Sequence, residues 1–307
     1  MQRREILKAG LLTAFAASLS GTVLWPGRAD AATHTLDIVA ERVVRLVVPN
    51  SSTVIPVWRF RDASTGENAQ INVLSGDAIT INLRNALTVP VNLVIPGLLD
   101  DAPACPPGGS IVISFVVPDN PGSYVFYDNR NGLVGRAMGL GGALVVRPRD
   151  GVNRLYNGGP GFNREHLLVF QEVDSRLNLT VDGGGVFDIN NFEPNYFYVN
   201  DIAYVQDGVE LLLGLGENVA IRFANPGLIY NPMHFHGYHV RIATRNRIPE
   251  TSIIEKDTVS IRPGEVADVI LPVGLQAGLF PLHSHYLPAL TNNGRYPGGG
   301  LIMLNAS

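Results

Sequence analysis

The segment GDAITINLRN at residues 76–85 recurs as GENVAIRFAN at residues 216–225, an offset of 140 residues. Both segments begin with Gly and an acidic residue, carry apolar residues at alternate positions and end in Asn. Alternation with a period of two is typical of a β-strand that has one buried face. The recurrence therefore predicts two copies of one strand-rich domain.

A second pair of landmarks follows at a different spacing. Pro107-Gly108 corresponds to Pro263-Gly264, and GSYVFYDN (122–129) corresponds to GLFPLHSH (278–285), both at an offset of 156 residues. The second copy has thus gained sixteen residues between the landmarks. Elsewhere, short apolar runs alternate with Gly, Pro, Asn and Asp, so the sequence predicts an all-β fold.

The domain organisation follows from the repeat and from one aperiodic stretch. Residues 147–163 are dense in Gly, Asn and Arg and lie between the copies. The sequence predicts a first domain at 32–149, a linker at 150–163 and a second domain at 164–307. A length of 307 residues suits two domains. With only 16% charged residues, 33 Gly and 21 Pro, disordered, coiled-coil and collagen-like chains are excluded.

Charge and cysteine content exclude several kinds of partner and cofactor. The formal net charge is −4, so there is too little basic surface to neutralise a run of phosphates, and we expect no nucleic-acid partner. Cys105 is the single cysteine. It excludes an intrachain disulfide, a cysteine-rich zinc site and an iron–sulfur cluster held by cysteines alone.

Residues 1–31 have the pattern of an export signal. Arg3-Arg4 precede an uncharged, mainly apolar stretch from Ala9 to Trp25, and Ala29-Asp30-Ala31 matches a signal-peptidase site. The pattern resembles a twin-arginine signal and predicts cleavage after Ala31, with a periplasmic or secreted product. A transmembrane anchor is the alternative. No later segment approaches a membrane span, so no membrane contact is expected after signal removal.

Two His-x-His pairs point to metal chemistry in the second copy. His234 and His236 lie in NPMHFHGYHV, and His283 and His285 lie in PLHSHYL. On a strand, positions i and i+2 face the same side about 6.6 Å apart, so each pair presents two imidazoles to one point. Imidazole is a good ligand for copper, zinc and iron. Polar core histidines are the structural alternative.

The other histidines have ordinary structural interpretations. His166 opens a predicted strand, where a hydrogen-bonded or exposed side chain is expected. His239 is at odd spacing from His236 and should face away from the pair. His34 follows the predicted cleavage site by three residues, so it is not the first residue of the mature chain.

These residues resemble the multicopper oxidase family. NPMHFHGYHV is similar to its His-Pro-x-His-x-His-Gly segment, and PLHSHYLPAL to its His-Cys-His segment, preceded by the stretch from Lys256 to Glu265. The similarity continues through SGDAITINLRN, GLLDDAPACPPGGS, GSYVFYDN and GGALVV of the first copy. It implies two tandem cupredoxin-like Greek-key β-sandwiches that cover nearly all of the mature chain, and copper as the cofactor.

The chain departs from the family at the blue copper. In the family that centre needs a Cys thiolate and two histidines, and the matching positions here are Ser284, Asn231 and Ala289. A serine hydroxyl does not replace a soft thiolate, so a blue centre is not expected. Cys105 matches a non-ligand cysteine of the family, which implies a structural role.

The first copy also lacks the family's histidines. The repeat offsets equate His234 and His236 with Val94 and Pro96, and His283 and His285 with Tyr127 and Asn129. The family's trinuclear copper cluster draws half of its histidines from each of two domains, so this chain retains half of the set. Tyr127 and Asn129 are either relics or the edge of the pocket.

The sequence and the family resemblance leave several functions open. The first is a copper oxidoreductase, not a conventional laccase, acting on an oxygen species or a small-molecule substrate with one or two coppers. The second is a non-catalytic protein for copper carriage or protein binding. Zinc on the same histidines is the weaker alternative to copper. The resemblance implies that His236 and His283 share one copper, and that the assembly is a homotrimer.

Overall fold

The computed structural model describes residues 30–46, 52–204 and 210–307; nearly all of the predicted export signal lies outside them. The elements of the first copy are β1 (Thr33–Leu46), β2 (Val54–Asp62), β3 (Gln70–Leu74), β4 (Ala78–Asn85), β5 (Ser110–Val116), β6 (Gly122–Tyr127), α1 (Val134–Ala137) and β7 (Gly141–Arg147). They form a four-stranded sheet, β2-β1-β4-β5, and a three-stranded sheet, β3-β7-β6. The two sheets enclose one apolar core.

The second copy is larger. Its elements are β8 (Arg164–Val173), α2 (Ser175–Asp182), β9 (Tyr196–Val199), β10 (Glu210–Leu213), β11 (Asn218–Ala224), β12 (Asn231–Phe235), β13 (Val240–Arg245), β14 (Ile248–Lys256), β15 (Thr258–Ile261), β16 (Val266–Pro272), β17 (Gly278–Ser284) and β18 (Ile302–Ala306). Short 3₁₀ turns lie at Ile189–Asn191 and Leu287–Leu290. The sheets are β14-β13-β16-β11-β8-β9 and β10-β18-β17-β12-β15. A second apolar core lies between them.

The all-β prediction is confirmed, and the repeat extends to three-dimensional detail. β4 pairs parallel with β1 and antiparallel with β5, and β11 pairs in the same way with β8 and β16. Asn85 donates to the carbonyls of Val89 and Cys105, while Asn225 donates to those of Ile229 and Ile261. These acceptors match at the offsets of 140 and 156 read from the sequence.

The two sandwiches pack through apolar strand faces and one buried charged network. Val125 and Val145 of the first copy contact Leu167 and Val169 of the second. Beside them, the Ser123 hydroxyl donates to Asp268 at 2.5 Å across the boundary.

That network is centred on a fully buried arginine. The Arg222 guanidinium pairs with Glu165 at 2.6 Å and with Asp268 at 3.1 Å. Because an unpaired charge inside a protein is costly, the two carboxylates are required to keep Arg222 buried.

The predicted linker packs onto the second sandwich. Leu155 is fully buried and contacts Ala220, Ala243 and Ile270. Arg154 and Gly161 form an isolated β-bridge within the same segment. Within residues 30–46, 52–204 and 210–307, no helix is long and apolar enough to cross a membrane.

Candidate metal centre

The four paired histidines come together on two neighbouring strands. β12 runs antiparallel to β17, and His234 lies opposite His283. His236 and His285 lie one residue beyond the ends of these strands. Their backbones remain tied across the pair, because the His236 N–H donates to the Pro281 carbonyl and the His285 N–H to the Pro232 carbonyl. The strand register therefore directs all four side chains to one face of the sheet.

The imidazole rings form a compact quadrilateral. Ring centroids are 4.9 Å apart for His234 and His236, 5.0 Å for His236 and His283, 5.5 Å for His283 and His285, and 4.8 Å for His234 and His285. These separations are shorter than the spacing of alternate strand residues, because His236 and His285 have already left the strands. The rings of His236 and His285 are exposed, whereas those of His234 and His283 are half-buried.

The shortest contact joins His236 and His283, whose Nε2 atoms are 2.9 Å apart. His283 Nδ1 lies 3.2 Å from the Ser284 carbonyl, which only accepts hydrogen bonds. Nδ1 is therefore the protonated nitrogen of His283, and Nε2 carries the free lone pair. Fixing the tautomer through a backbone carbonyl is a common feature of metal-binding histidines.

The protonation of His283 favours the same role. Burial lowers its pKa from the usual value, and the neighbouring histidines lower it further, against an opposing effect of the Ser284 carbonyl. His283 is thus neutral at neutral pH. A neutral imidazole is the form that binds a metal.

Two further polar side chains reach His234 from β15 and the residue before it. Thr258 Oγ1 lies 3.1 Å from His234 Nδ1, and Asp257 Oδ2 lies 3.8 Å from the same atom. Sequence reasoning assigned these residues no role, although they lie in the stretch that carried the family resemblance. Their sequence distance from His234 gave no signal; only the pairing of β12 with β15 brings them together.

The cluster fits a metal chemically and needs small side-chain adjustments to hold one. Two nitrogens bound to one copper or zinc at about 2.0–2.1 Å lie within about 4 Å of each other, and the 2.9 Å between His236 and His283 satisfies this limit. Within the described residues, however, no group of three or more His, Cys, Asp or Glu side chains has metal-binding geometry as it stands. Rotation of the exposed rings is the adjustment required.

The three positions that match the family's blue-copper ligands line one small cavity. Asn231, Ser284 and Ala289 are all buried around a space of about 10 Å³. That volume is close to the minimum for a single water molecule. Glu172 lies in the same wall, and the described lining residues include neither cysteine nor histidine.

Tyr127 and Asn129 lie in the first sandwich, away from the histidines. Val94 and Tyr127 form a β-bridge that matches the pair His234 and His283 at the repeat offsets. The Arg136 guanidinium stacks on the Tyr127 ring at 4.3 Å, and Asn129 accepts a hydrogen bond from Asn92. Among the described contacts, none joins Tyr127 or Asn129 to the four histidines of the same chain.

The remaining histidines lie elsewhere. His166 is buried, and its Nε2 lies 3.0 Å from the Leu212 carbonyl. Burial lowers its pKa, so this histidine is neutral. His239 is exposed in the turn after β12. His34 lies at the start of β1, with Nε2 2.8 Å from Asp77.

Comparison with solved structures gives the same fold. A multicopper oxidase named mgLAC is 23% identical, with a TM-score of 0.76, over 90% of this chain and 87% of that chain. A blue copper oxidase from Nitrosomonas europaea is 23% identical, with a TM-score of 0.75, over 90% and 86%. A copper nitrite reductase from Nitrosomonas europaea is 17% identical, with a TM-score of 0.70, over 90% and 94%. No curated protein sequence matches the chain.

Family models match both copies. One multicopper oxidase model covers residues 54–151, and a second covers residues 179–295. Together with the neighbours above, they confirm two cupredoxin-like domains. Members of this family are copper oxidoreductases. Because both copies match its models, the chain belongs to the multicopper oxidase family.

Proposed function

We propose that this chain is an exported copper protein in which His234, His236, His283 and His285 hold one or two coppers without a blue copper centre, and that it acts as an oxidoreductase. The observation that carries the proposal is the contact of 2.9 Å between Nε2 of His236 and Nε2 of His283, within a cluster of four imidazole rings. Copper at these imidazoles would supply one- or two-electron redox chemistry.

The protein's own residues have distinct parts in this site. His283, with Nδ1 held by the Ser284 carbonyl, presents Nε2 as a fixed ligand. His236 faces it, and to hold a metal through Nε2 it would carry its proton on Nδ1 instead. Thr258 Oγ1 is within hydrogen-bond distance of Nδ1 of His234 and orients that ring, and the Asp257 carboxylate lies nearby at 3.8 Å.

The site is exposed at His236 and at His285. Both rings are exposed, so an oxygen species or a small organic substrate can reach the metal without any movement of the fold. Four-electron reduction of oxygen along the family's route is not part of the proposal. Ser284 stands where the family has the blue-copper thiolate. Tyr127 and Asn129 stand where it has two of the first-domain histidines.

Copper content of single variants tests the site. His236→Ala and His283→Ala are expected to lower copper per chain to less than half of the wild-type value, because the metal loses one of its few imidazoles. His234→Ala and His285→Ala are expected to lower it less. His239→Ala is the matched control, since this exposed histidine lies three residues from His236. Metal analysis of the same samples for zinc decides the identity of the ion.

The outcomes separate the two functions. Equal copper in wild type and His236→Ala would overturn the copper site. Loss of copper in that variant, with no oxidation of any phenol, amine or metal-ion donor by the loaded wild type, would favour copper carriage by a non-catalytic protein. Zinc in place of copper would favour the zinc alternative, in which the metal would activate a water molecule.

Export and assembly belong to the same proposal. The export pattern at residues 1–31 predicts a periplasmic or secreted chain that starts at Ala32. The exposure of His236 and His285 and the family membership favour a homotrimer, in which each cluster faces the first domain of a neighbour. Light scattering is expected to give three times the mass of the mature chain, and a monomer would contradict this assembly.

A further inference from the structure

The N-terminal strand carries a second arrangement of nitrogen ligands, far in sequence from the four paired histidines. Cleavage after Ala31, which is part of the proposed function, leaves Ala32-Thr33-His34 as the first three residues. A chain that starts in this way has a free amine two residues before an imidazole. Between them lie the amide nitrogens of Thr33 and His34, and neither residue is a proline, so each amide has a proton to lose.

We propose that signal removal creates a Cu²⁺ site at the new N-terminus. Its four ligands are the Ala32 amine, the amide nitrogens of Thr33 and His34, and Nδ1 of His34. Four nitrogens joined by short chain links enforce a square-planar arrangement, which is a geometry that Cu²⁺ prefers. The terminal ammonium and the two amides each release a proton as the copper–nitrogen bonds form, and the metal does not change its oxidation state.

The contacts of the His34 imidazole leave its Nδ1 free to bind a metal. His34 Nε2 lies 2.8 Å from Oδ2 of Asp77, a side chain that is 1% exposed. With Nε2 held by a carboxylate, Nε2 is the nitrogen that keeps its proton, and Nδ1 has the free lone pair. A carboxylate on the second ring nitrogen is the usual support of a metal-binding histidine. Nδ1 is also the ring nitrogen nearer the backbone, as the chelate requires.

The amine is brought to the same carboxylate. The Ala32 N–H donates to Asp77 Oδ1 at 3.0 Å, so Asp77 contacts both ends of the proposed ligand set. Hydrogen bonds from Leu74 N and from Arg149 hold Asp77 itself. The carboxylate is thus fixed before a metal arrives.

Metal binding requires only the first residues of β1 to move. Ala32 and Thr33 are exposed, and they are tied to β4 by the bond from the Ala78 N–H to the Ala32 carbonyl and by the pairing of Thr33 with Ala78. The planar chelate replaces these contacts, while the pairing of β1 with β4 continues from residue 35 to Ala40. Chain termini are the segments that open most readily.

The test compares three forms of the mature chain. The first starts at Ala32, the second carries one added Gly before Ala32, and the third is His34→Ala. The added Gly preserves every side chain but moves His34 to the fourth position, where the amine no longer completes the chelate. Each form is titrated with CuCl₂ and followed by calorimetry, visible absorption and electron paramagnetic resonance.

The chain that starts at Ala32 is expected to bind one more Cu²⁺ than either control, with the spectrum of a tetragonal four-nitrogen site. Equal copper and equal spectra in the Ala32 and Gly-extended forms would overturn the proposal. Mass spectrometry of the exported protein must also find Ala32 first, and another start would overturn it. Copper at the four paired histidines is common to all three forms, so failure of that site leaves this comparison unaffected.

Discussion

A buried carboxyl beside the small cavity provides a sharp prediction about stability. Glu172 is 4% exposed, its Oε1 accepts a hydrogen bond from the Leu228 N–H, and the Ile229 N–H also favours the ionised carboxyl. The other oxygen, Oε2, has no hydrogen-bond partner among the residues that the structure describes. Burial raises the pKa of Glu172 to about 7, against opposing effects of these N–H groups and of Arg136.

The contribution of Glu172 to the free energy of unfolding therefore falls as the pH rises. The folded protein holds the Glu172 proton more tightly than the unfolded chain, so this contribution is complete below pH 4.5 and is lost as the pH rises through about 7. A rise in pKa from 4.5 to about 7 corresponds to about 3 kcal/mol between the two limits. Glu172→Gln removes the ionisation and keeps the side-chain shape.

Urea unfolding of wild type and Glu172→Gln at pH 5 and pH 8 measures the effect. The free energy of unfolding of the variant, relative to wild type, is expected to be about 2.5 kcal/mol higher at pH 8 than at pH 5, because part of the contribution is already lost at pH 5. Contributions from all other groups cancel in this comparison. Glu67→Gln, at an exposed residue, is the control. The same difference between Glu172→Gln and wild type at both pH values would refute the reasoning.

The remaining predictions concern charge burial and colour. Glu165→Ala leaves the fully buried Arg222 short of a partner, so denaturant unfolding is expected to show a loss of about 3 kcal/mol or more. Glu255→Ala, at the exposed pair with Arg241, is expected to cost less than about 1 kcal/mol, and equal losses would contradict the role of burial. The copper-loaded protein is expected to lack the intense visible absorption of a copper–thiolate bond, because Ser284 supplies no sulfur; a strong blue band would contradict this assignment.

The fold class and the histidine pairs are readable from local patterns along the chain. Period-two alternation, dense Gly and Pro and the repeat at 76–85 and 216–225 depend on local chemistry, which is readable from one chain. The offsets even predicted that Val94 and Tyr127 stand where His234 and His283 stand in the second copy, and the β-bridge between Val94 and Tyr127 agrees with this. The family resemblance, confirmed by the matched models, extended this to copper.

The groups that support the site are visible only in the folded chain. The contacts of His234 with Asp257 and Thr258 depend on the register between β12 and β15. The buried Arg222 network and the unpartnered oxygen of Glu172 depend on how the sheets pack. Register and packing are fixed by hydrogen bonds and apolar contacts between residues far apart in the chain, and their partners leave no periodic signal in the sequence.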